Sequence, residues 1–216
     1  MVRLVLAHRD GRLGEELPRV LMTLPGTDVA LLPGPRSHAQ AASLTDVWGP
    51  LSAELAELEE NGQDVIVDAG RLGMAHFPSP LVEGADVALL VVGSGLTQLA
   101  AARQWAADWW TASWDGNGAL SVGCLLVGEG RPYGSRTVAR TLSLPVVESV
   151  AWDPDSAAVF SSGRPAGRRL SASPLTRSLS SVAAEVDRLI SLSRRAPEPY
   201  VQLPEPGVRL EVVRDE

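Results

Sequence analysis

The chain has 216 residues, of which 45% are hydrophobic and 21% are charged, so it can form one sizeable core and is too balanced to be disordered. Its 26 acidic and 19 basic residues give a net charge of −7, which argues against a surface built wholly for nucleic acid. All 19 basic residues are arginine, which excludes Schiff-base chemistry and a standard phosphate-binding loop, since both need a lysine amine.

Hydropathy and cysteine content bear on the compartment. The longest aliphatic run covers residues 87–92 and is far shorter than the roughly 18 residues of a membrane-spanning helix. We therefore expect no transmembrane segment, and we find no pattern of a secretory signal. The single cysteine, Cys124, cannot form an internal disulfide and lies in an apolar run where a small buried side chain is expected. Together these features predict a cytoplasmic protein.

Short aliphatic runs alternate with helix-period segments along the chain, a pattern typical of βαβ units around a parallel sheet. We predict an α/β fold with a mostly parallel, doubly wound sheet flanked by helices. In chain order, the predicted strands cover residues 2–7, 29–32, 64–68, 86–92, 121–127 and 145–149. The predicted helices cover residues 15–24, 44–61, 97–113, 135–142, 154–161 and 174–194.

The composition changes near residue 195. Residues 1–195 are predicted to form a single α/β domain. Beyond them the chain is rich in proline and then alternates apolar with charged residues. This texture predicts an extended tail over residues 196–216, which could supply an edge strand or lie across a partner.

One segment in the first half of the chain indicates a nucleotide site. The predicted strand 64–68 ends in Asp68 and is followed by a small residue and Gly70. In P-loop NTPases an aspartate in this position lies near Mg²⁺, and a glycine lets the following loop bend. Since many buried parallel strands end in aspartate, the alternative is that Asp68 caps the turn that follows it.

The order of the next segments resembles the MinD/ParA family of partitioning ATPases. Ala85 and Asp86 lead into an aliphatic strand, as in that family, and residues 96–107 and 123–128 resemble its next helix and strand. Residues 144–147 and 153–165 resemble its closing segment. The resemblance covers residues 29–192. Within the family it is greatest to the divergent TadZ/CpaE-like localisation factors of pili and secretion systems.

The resemblance implies a P-loop ATPase fold, but the chain departs from the family where phosphate should bind. The family opens with a strand and a loop that contains two lysines, whereas this chain opens with residues 2–14 and has no lysine. The family's adenine-side strand ends near an asparagine, which residues 125–131 lack. We therefore predict a pseudo-ATPase without a bound cofactor. If ATP and Mg²⁺ bind, the candidate residues are Arg9, Asp10, Gly11, Arg12, Asp68 and Gly70, with Asp68 as the metal ligand.

A second metal hypothesis rests on the histidines. His8 and His76 could meet Asp10 at the carboxyl edge of the sheet, although their spacing is not that of a metal motif. His38 is the third histidine of the chain.

Four tryptophans crowd one predicted helix. Because tryptophan is enriched at the energetic centres of interfaces, part of this cluster is a candidate protein interface, and a bulky core helix is the alternative. The cluster consists of Trp105, Trp109, Trp110 and Trp114.

A basic strip coincides with the last helix and the loop before it. It could be a solvated helix face, a patch that contacts DNA or phosphate, or a docking site for an acidic partner. The strip contains Arg164, Arg168, Arg169, Arg177 and Arg188, followed by Arg194 and Arg195.

Our sequence-based hypothesis is a non-hydrolysing scaffold, or a localisation and assembly factor, that acts through protein contacts. Its partner would be a second copy of the chain or a genuine ATPase of a secretion or partitioning system. One alternative is a Mg²⁺-dependent NTPase in which Arg9 or Arg12 replaces the loop lysine. Another is a DNA-associated partitioning factor that uses the basic late helix. The surface of interest is the carboxyl edge of the strands, around Asp10, Asp68, Arg71 and Ser94.

Overall fold

The computed structural model describes residues 1–113 and 121–195. Its first half contains α1 (Val2–Arg9), α2 (Leu13–Val20), β1 (Met22–Thr23), β2 (Ala30–Leu31), α3 (His38–Ser43), α4 (Trp48–Glu60) and α5 (Ser79–Glu83). Its second half contains β3 (Val87–Gly93), α6 (Leu96–Ser113), β4 (Ser121–Val127), α7 (Ser135–Leu142), β5 (Val146–Val150), α8 (Pro154–Ser162), a 3-10 turn (Leu170–Ala172) and α9 (Pro174–Arg195).

The main sheet consists of three parallel strands in the order β3, β4, β5. The pairing of β3 with β4 is regular over seven residues, whereas that of β4 with β5 is irregular between Cys124 and Leu125. Since α6 and α7 connect successive parallel strands, right-handed crossovers place both helices on one face. Helix α9 also packs on the sheet, mainly on β5. The predicted α/β class, with a parallel sheet flanked by helices, is therefore confirmed.

The core of this half lies between the sheet and the two crossover helices. Strands buried on both faces are expected to be continuously apolar, and the sequence of β4 has this character. Cys124 is fully buried here, and the loss of hydration raises the pKa of its thiol to about 12. The cluster contains Val92, Leu99, Ala106, Cys124, Leu126, Val138, Leu142 and Leu144.

The first half of the chain has its own apolar cluster. Helices α1, α2 and α4 pack around it, and α5 adds Leu81. Strands β1 and β2 form a separate antiparallel hairpin, in which Met22 pairs with Leu31. The cluster contains Leu4, Leu13, Leu17, Leu44, Val47, Trp48, Leu51 and Leu81. Within the described residues, no helix is both long and apolar enough to cross a membrane.

The second half follows the sequence-based prediction to within one residue at most boundaries. In the first half, the predicted helix 15–24 is wrong at its end, because the chain turns to an extended conformation at Leu21 (ψ 145°) and enters the hairpin. The predicted helix 44–61 is present as α4, which begins four residues later than predicted, and α3 precedes it in a segment for which no helix was predicted. The predicted strand 29–32 is present only as β2, and it pairs in the hairpin rather than in the parallel sheet.

The predicted strand at residues 2–7 is wrong, because this segment forms helix α1. Leu4 and Ala7 lie three residues apart on one helix face and are buried, whereas Val2 and Leu6 are more than half exposed. This face packs against α2, so the buried residues of the segment follow the spacing of a helix and not that of a strand.

The predicted strand at residues 64–68 is also wrong. These residues belong to no helix or strand of the described chain and are exposed, with Ile66 96% accessible. Valine and isoleucine favour an extended backbone whether or not a sheet accepts it, so composition alone does not establish burial. The predicted tail, residues 196–216, lies outside the described residues.

Candidate functional site

The carboxyl ends of β3, β4 and β5 meet at one edge of the sheet, which is where open parallel sheets bind ligands. Ser94 and Gly95 follow β3 and lead into α6. A turn over residues 128–134 follows β4, and residues 151–153 connect β5 to α8. The carboxyl-edge site is defined here by Ser94, Glu129, Arg131 and Trp152.

Ser94 fastens the turn after β4 to the end of β3. Its side chain is buried at 2% exposure. Ser94 Oγ lies 2.5 Å from the carbonyl oxygen of Gly128 and 2.7 Å from that of Arg131, and it accepts a hydrogen bond of 3.1 Å from the Arg131 amide. Because these backbone groups occupy the hydroxyl, Ser94 holds the loop in place and is not available as a nucleophile.

Three side chains of the site face solvent. The Arg131 guanidinium lies over the Trp152 ring, 5.8 Å from its centre, and Trp152 is 54% exposed. Glu129 accepts hydrogen bonds from the Ser135 amide (2.8 Å) and the Ser149 hydroxyl (2.9 Å). These bonds favour the carboxylate and lower the pKa of Glu129. The edge thus offers an aromatic face, a cation and a carboxylate.

Sequence reasoning placed Ser94 at this edge but missed Glu129, Arg131 and Trp152. The available signal was the pair Gly128 and Gly130 after an aliphatic strand. Both glycines have positive φ (72° and 79°), a conformation that glycine tolerates best.

The predicted phosphate turn, Arg9 to Arg12, lies between two helices rather than after a strand. Its backbone amides close the end of α1: the amides of Asp10, Gly11 and Arg12 donate to the carbonyl oxygens of Leu6, His8 and Ala7, at 2.8 to 3.0 Å. Gly11 has the positive φ (67°) typical of a helix end. The Arg12 side chain contacts the Asp10 carboxylate at 3.1 Å.

The helix that follows this turn begins among carboxylates. Glu15 and Glu16 lie in the first turn of α2. A Cβ built on Gly14 would lie 2.5 Å from Glu54 Oε2, so a third carboxylate is beside the helix start. Hydrogen bonds from Arg19 and Arg3 lower the pKa of Glu16 and keep it charged. With its amides engaged and these acids nearby, the turn in this structure does not fit a polyphosphate.

Asp68 makes a local turn. Its Oδ1 accepts a hydrogen bond of 2.9 Å from the Gly70 amide, and Gly70 has a φ of 77°. This geometry matches the turn-capping alternative for Asp68. No hydrogen bond or ion pair between Asp68 and the 9–12 turn is found among the described residues.

The histidine hypothesis gains no support from the geometry. No group of three or more His, Cys, Asp or Glu side chains within residues 1–113 and 121–195 is arranged to hold a metal ion. His76 Nδ1 lies 3.4 Å from the Thr45 hydroxyl.

The tryptophan cluster is described only in part. Trp105 is 40% exposed, and its ring packs directly on Gly73, whose φ is 77°. Trp109 and Trp110 belong to α6, but their side chains lie outside the described residues, as does the whole of Trp114. The interface role of this cluster stays a prediction.

Two arginines of the basic strip form ion pairs, and three others form none with another described residue. Arg164 lies 3.6 Å from Asp155, and Arg188 lies 2.6 Å from Glu185. Arg168, Arg169 and Arg177 are exposed. Their role stays a prediction.

Comparison with known proteins bears on the fold. No protein-family model matches the chain, and no curated protein matches it. Solved structures do match. MinD from Pyrococcus horikoshii, in complex with Mg-ADP, has a TM-score of 0.62 at 17% identity, covering 88% of this chain and 79% of that chain. The chain has the MinD/ParA fold.

Two further structures extend this fold likeness. A ParA family ATPase from Chlorobium tepidum has a TM-score of 0.59 at 14% identity, over 89% of this chain and 73% of that chain. MinD in the MinC:MinD complex of Aquifex aeolicus has a TM-score of 0.54 at 15% identity, over 92% and 74%. At these identities the likeness establishes the MinD/ParA fold and says nothing on the TadZ/CpaE-like subtype.

Proposed function

We propose that this chain is a non-hydrolysing MinD/ParA-like scaffold of the TadZ/CpaE-like kind, which positions or assembles other proteins in the cytoplasm by direct contact. Its partner is a second copy of the chain or an active ATPase of a secretion or partitioning system. The occurrence of a MinD in a MinC:MinD complex supports partner binding on this fold.

The observation that carries the proposal is the geometry of the turn from Arg9 to Arg12. A phosphate-binding loop works by presenting free backbone amides and a positive helix end to the anion. Here the amides of Asp10, Gly11 and Arg12 are bonded to α1, and the following helix begins beside the carboxylates of Glu15, Glu16 and Glu54. Repulsion between these acids and a triphosphate would oppose binding.

The absence of lysine supports the same proposal. The loop lysine of a P-loop NTPase contacts the β- and γ-phosphates, and this chain has arginine at all 19 basic positions. Arg12 already contacts Asp10, so it does not extend toward an anion in this structure.

The proposal is tested by calorimetric titration of the chain with ATP, ADP and GTP in the presence of Mg²⁺, with molar mass by light scattering. We expect no heat of nucleotide binding, and a mass unchanged by nucleotide. Micromolar, Mg²⁺-dependent binding that is lost in Asp68→Ala but kept in the control Asp64→Ala would contradict the scaffold and favour the NTPase alternative. The control is matched because both aspartates lie in the same exposed segment.

The DNA-associated alternative is favoured by the exposure of Arg168 and Arg169, which form no ion pair among the described residues. If it holds, affinity for a duplex should fall steeply with salt, because bound arginines release counterions from the phosphates. Arg168→Glu with Arg169→Glu should then abolish binding, whereas Arg36→Glu, in the first half of the chain, should not. The scaffold proposal predicts no such binding at physiological salt.

A further inference from the structure

A cleft of about 440 Å³ is lined by α6 and by the end of α7, away from the carboxyl-edge site. Because α7 runs from the carboxyl end of β4 to the amino end of β5, its last turn is at the opposite end of the sheet. Leu142 belongs to the buried core cluster, so the cleft is anchored on a packed part of the fold. The lining residues are Arg103, Arg140, Thr141, Leu142 and Ser143.

The lining of the cleft carries two cations and no acid. Arg103 comes from α6 and Arg140 from α7, and neither forms an ion pair with another described residue. Arg136, one helical turn before Arg140, adds a third exposed cation, and the sequence of α7 contains no acidic residue. Because both arginines line one cleft that has no carboxylate in its lining, an anion bound there would be attracted by both charges.

The donors in the cleft suit an oxyanion. Each guanidinium presents a planar fork of N–H donors that matches phosphate geometry. Ser143, in a left-handed conformation (φ 54°) at the end of α7, adds a hydroxyl, whereas the Thr141 hydroxyl donates to the Thr137 carbonyl. The volume leaves room for a phosphate group and part of the molecule that carries it.

We propose that this cleft binds the phosphate group of a small molecule, held between Arg103 and Arg140. The competing explanation is that Arg140 only neutralises the carbonyl end of α7, as basic residues in a last helical turn do. Arg103 separates the two explanations, because neutralising the end of α7 by Arg140 does not require a second arginine from α6.

The experiment titrates the ¹⁵N-labelled full chain with inorganic phosphate at constant ionic strength. We expect saturable amide shifts at residues 141–143, and a higher Tm in phosphate than in chloride of equal ionic strength. Arg103→Gln should weaken phosphate binding about tenfold or more, since a charge-assisted bond is lost. Arg36→Gln, an exposed arginine in the first half of the chain and outside the basic strip, is the matched control and should leave binding unchanged.

Three results would overturn the proposal. Shifts that increase linearly without saturation would indicate general ionic effects. An equal loss of affinity in Arg103→Gln and Arg36→Gln would indicate a nonspecific charge effect. Tighter binding of a 20-base-pair duplex, lost in Arg103→Gln, would assign the cleft to nucleic acid instead of a small phosphate.

Discussion

Replacing Ser94 by alanine tests whether the carboxyl-edge site is held together by one buried hydroxyl. The substitution removes the one O–H that donates to the carbonyl oxygen of Gly128 or Arg131 and the oxygen that accepts from the Arg131 amide, so two backbone hydrogen bonds are lost. An unsatisfied buried group costs about 1–3 kcal/mol, and water can reach the two partly buried bonds of Arg131. We therefore expect a loss of about 2–3 kcal/mol in the free energy of unfolding, or about 4–12 °C in Tm.

Urea unfolding followed by circular dichroism measures this loss. The control is Ser180→Ala, which removes an exposed hydroxyl that donates to the Thr176 carbonyl at 3.1 Å and should change stability by less than about 0.5 kcal/mol. Amide exchange adds a local readout, because the Arg131 amide should lose protection in Ser94→Ala. A stability within about 0.5 kcal/mol of the parent chain, with unchanged exchange at Arg131, would refute the role given to Ser94.

Three further predictions follow from burial and hydrogen bonding. Hydrogen bonds from Ser135 and Ser149 lower the pKa of Glu129. The charged carboxylate therefore stabilises the folded chain fully above the ordinary pKa of glutamate, near 4.5, and this stabilisation is lost as the pH falls through the lowered pKa. Glu129→Gln should thus flatten the acid limb of the Tm profile, and an unchanged limb would contradict this. Cys124 should resist a thiol reagent at pH 8 until urea unfolds the chain, because burial raises the pKa of its thiol to about 12. Rapid labelling of the folded protein would instead show that the thiol is exposed. Ile66→Ser should cost less than about 0.5 kcal/mol and Leu126→Ala about 2–5 kcal/mol in urea unfolding; similar losses would mean that Ile66 is buried.

The second half of the fold could be predicted because its local signals agree. The apolar run at residues 121–127 became β4 with the predicted limits. The helices on either side of it also have the length of crossover connections. In the first half, apolar residues at 2–7 fit a strand and a helix equally well at sequence level. Packing of Leu4 and Ala7 on α2 decided for the helix, and this tertiary contact cannot be read from the segment itself.

In the candidate site, contacts between residues close in sequence could be predicted, whereas contacts between residues far apart in sequence could not. The hydrogen bond of Asp68 to Gly70 spans two residues, and the turn-capping alternative could be stated from the sequence. The contact of Arg131 with Trp152 joins residues that are 21 positions apart. It exists because β4 and β5 are neighbours and end at the same edge, which follows from the sheet order and not from a motif.

The contacts that hold the parallel sheet together are separate from the predicted nucleotide residues. The parallel sheet is stabilised by its buried cluster with α6 and α7 and by α9, and none of the residues of that cluster belongs to the 9–12 turn or to the segment around Asp68. Substitution in those two exposed segments would therefore cost the sheet little stability. A chain can consequently retain this fold whether or not it retains phosphate-binding chemistry, and only a binding measurement on the turn itself separates a scaffold from an ATPase.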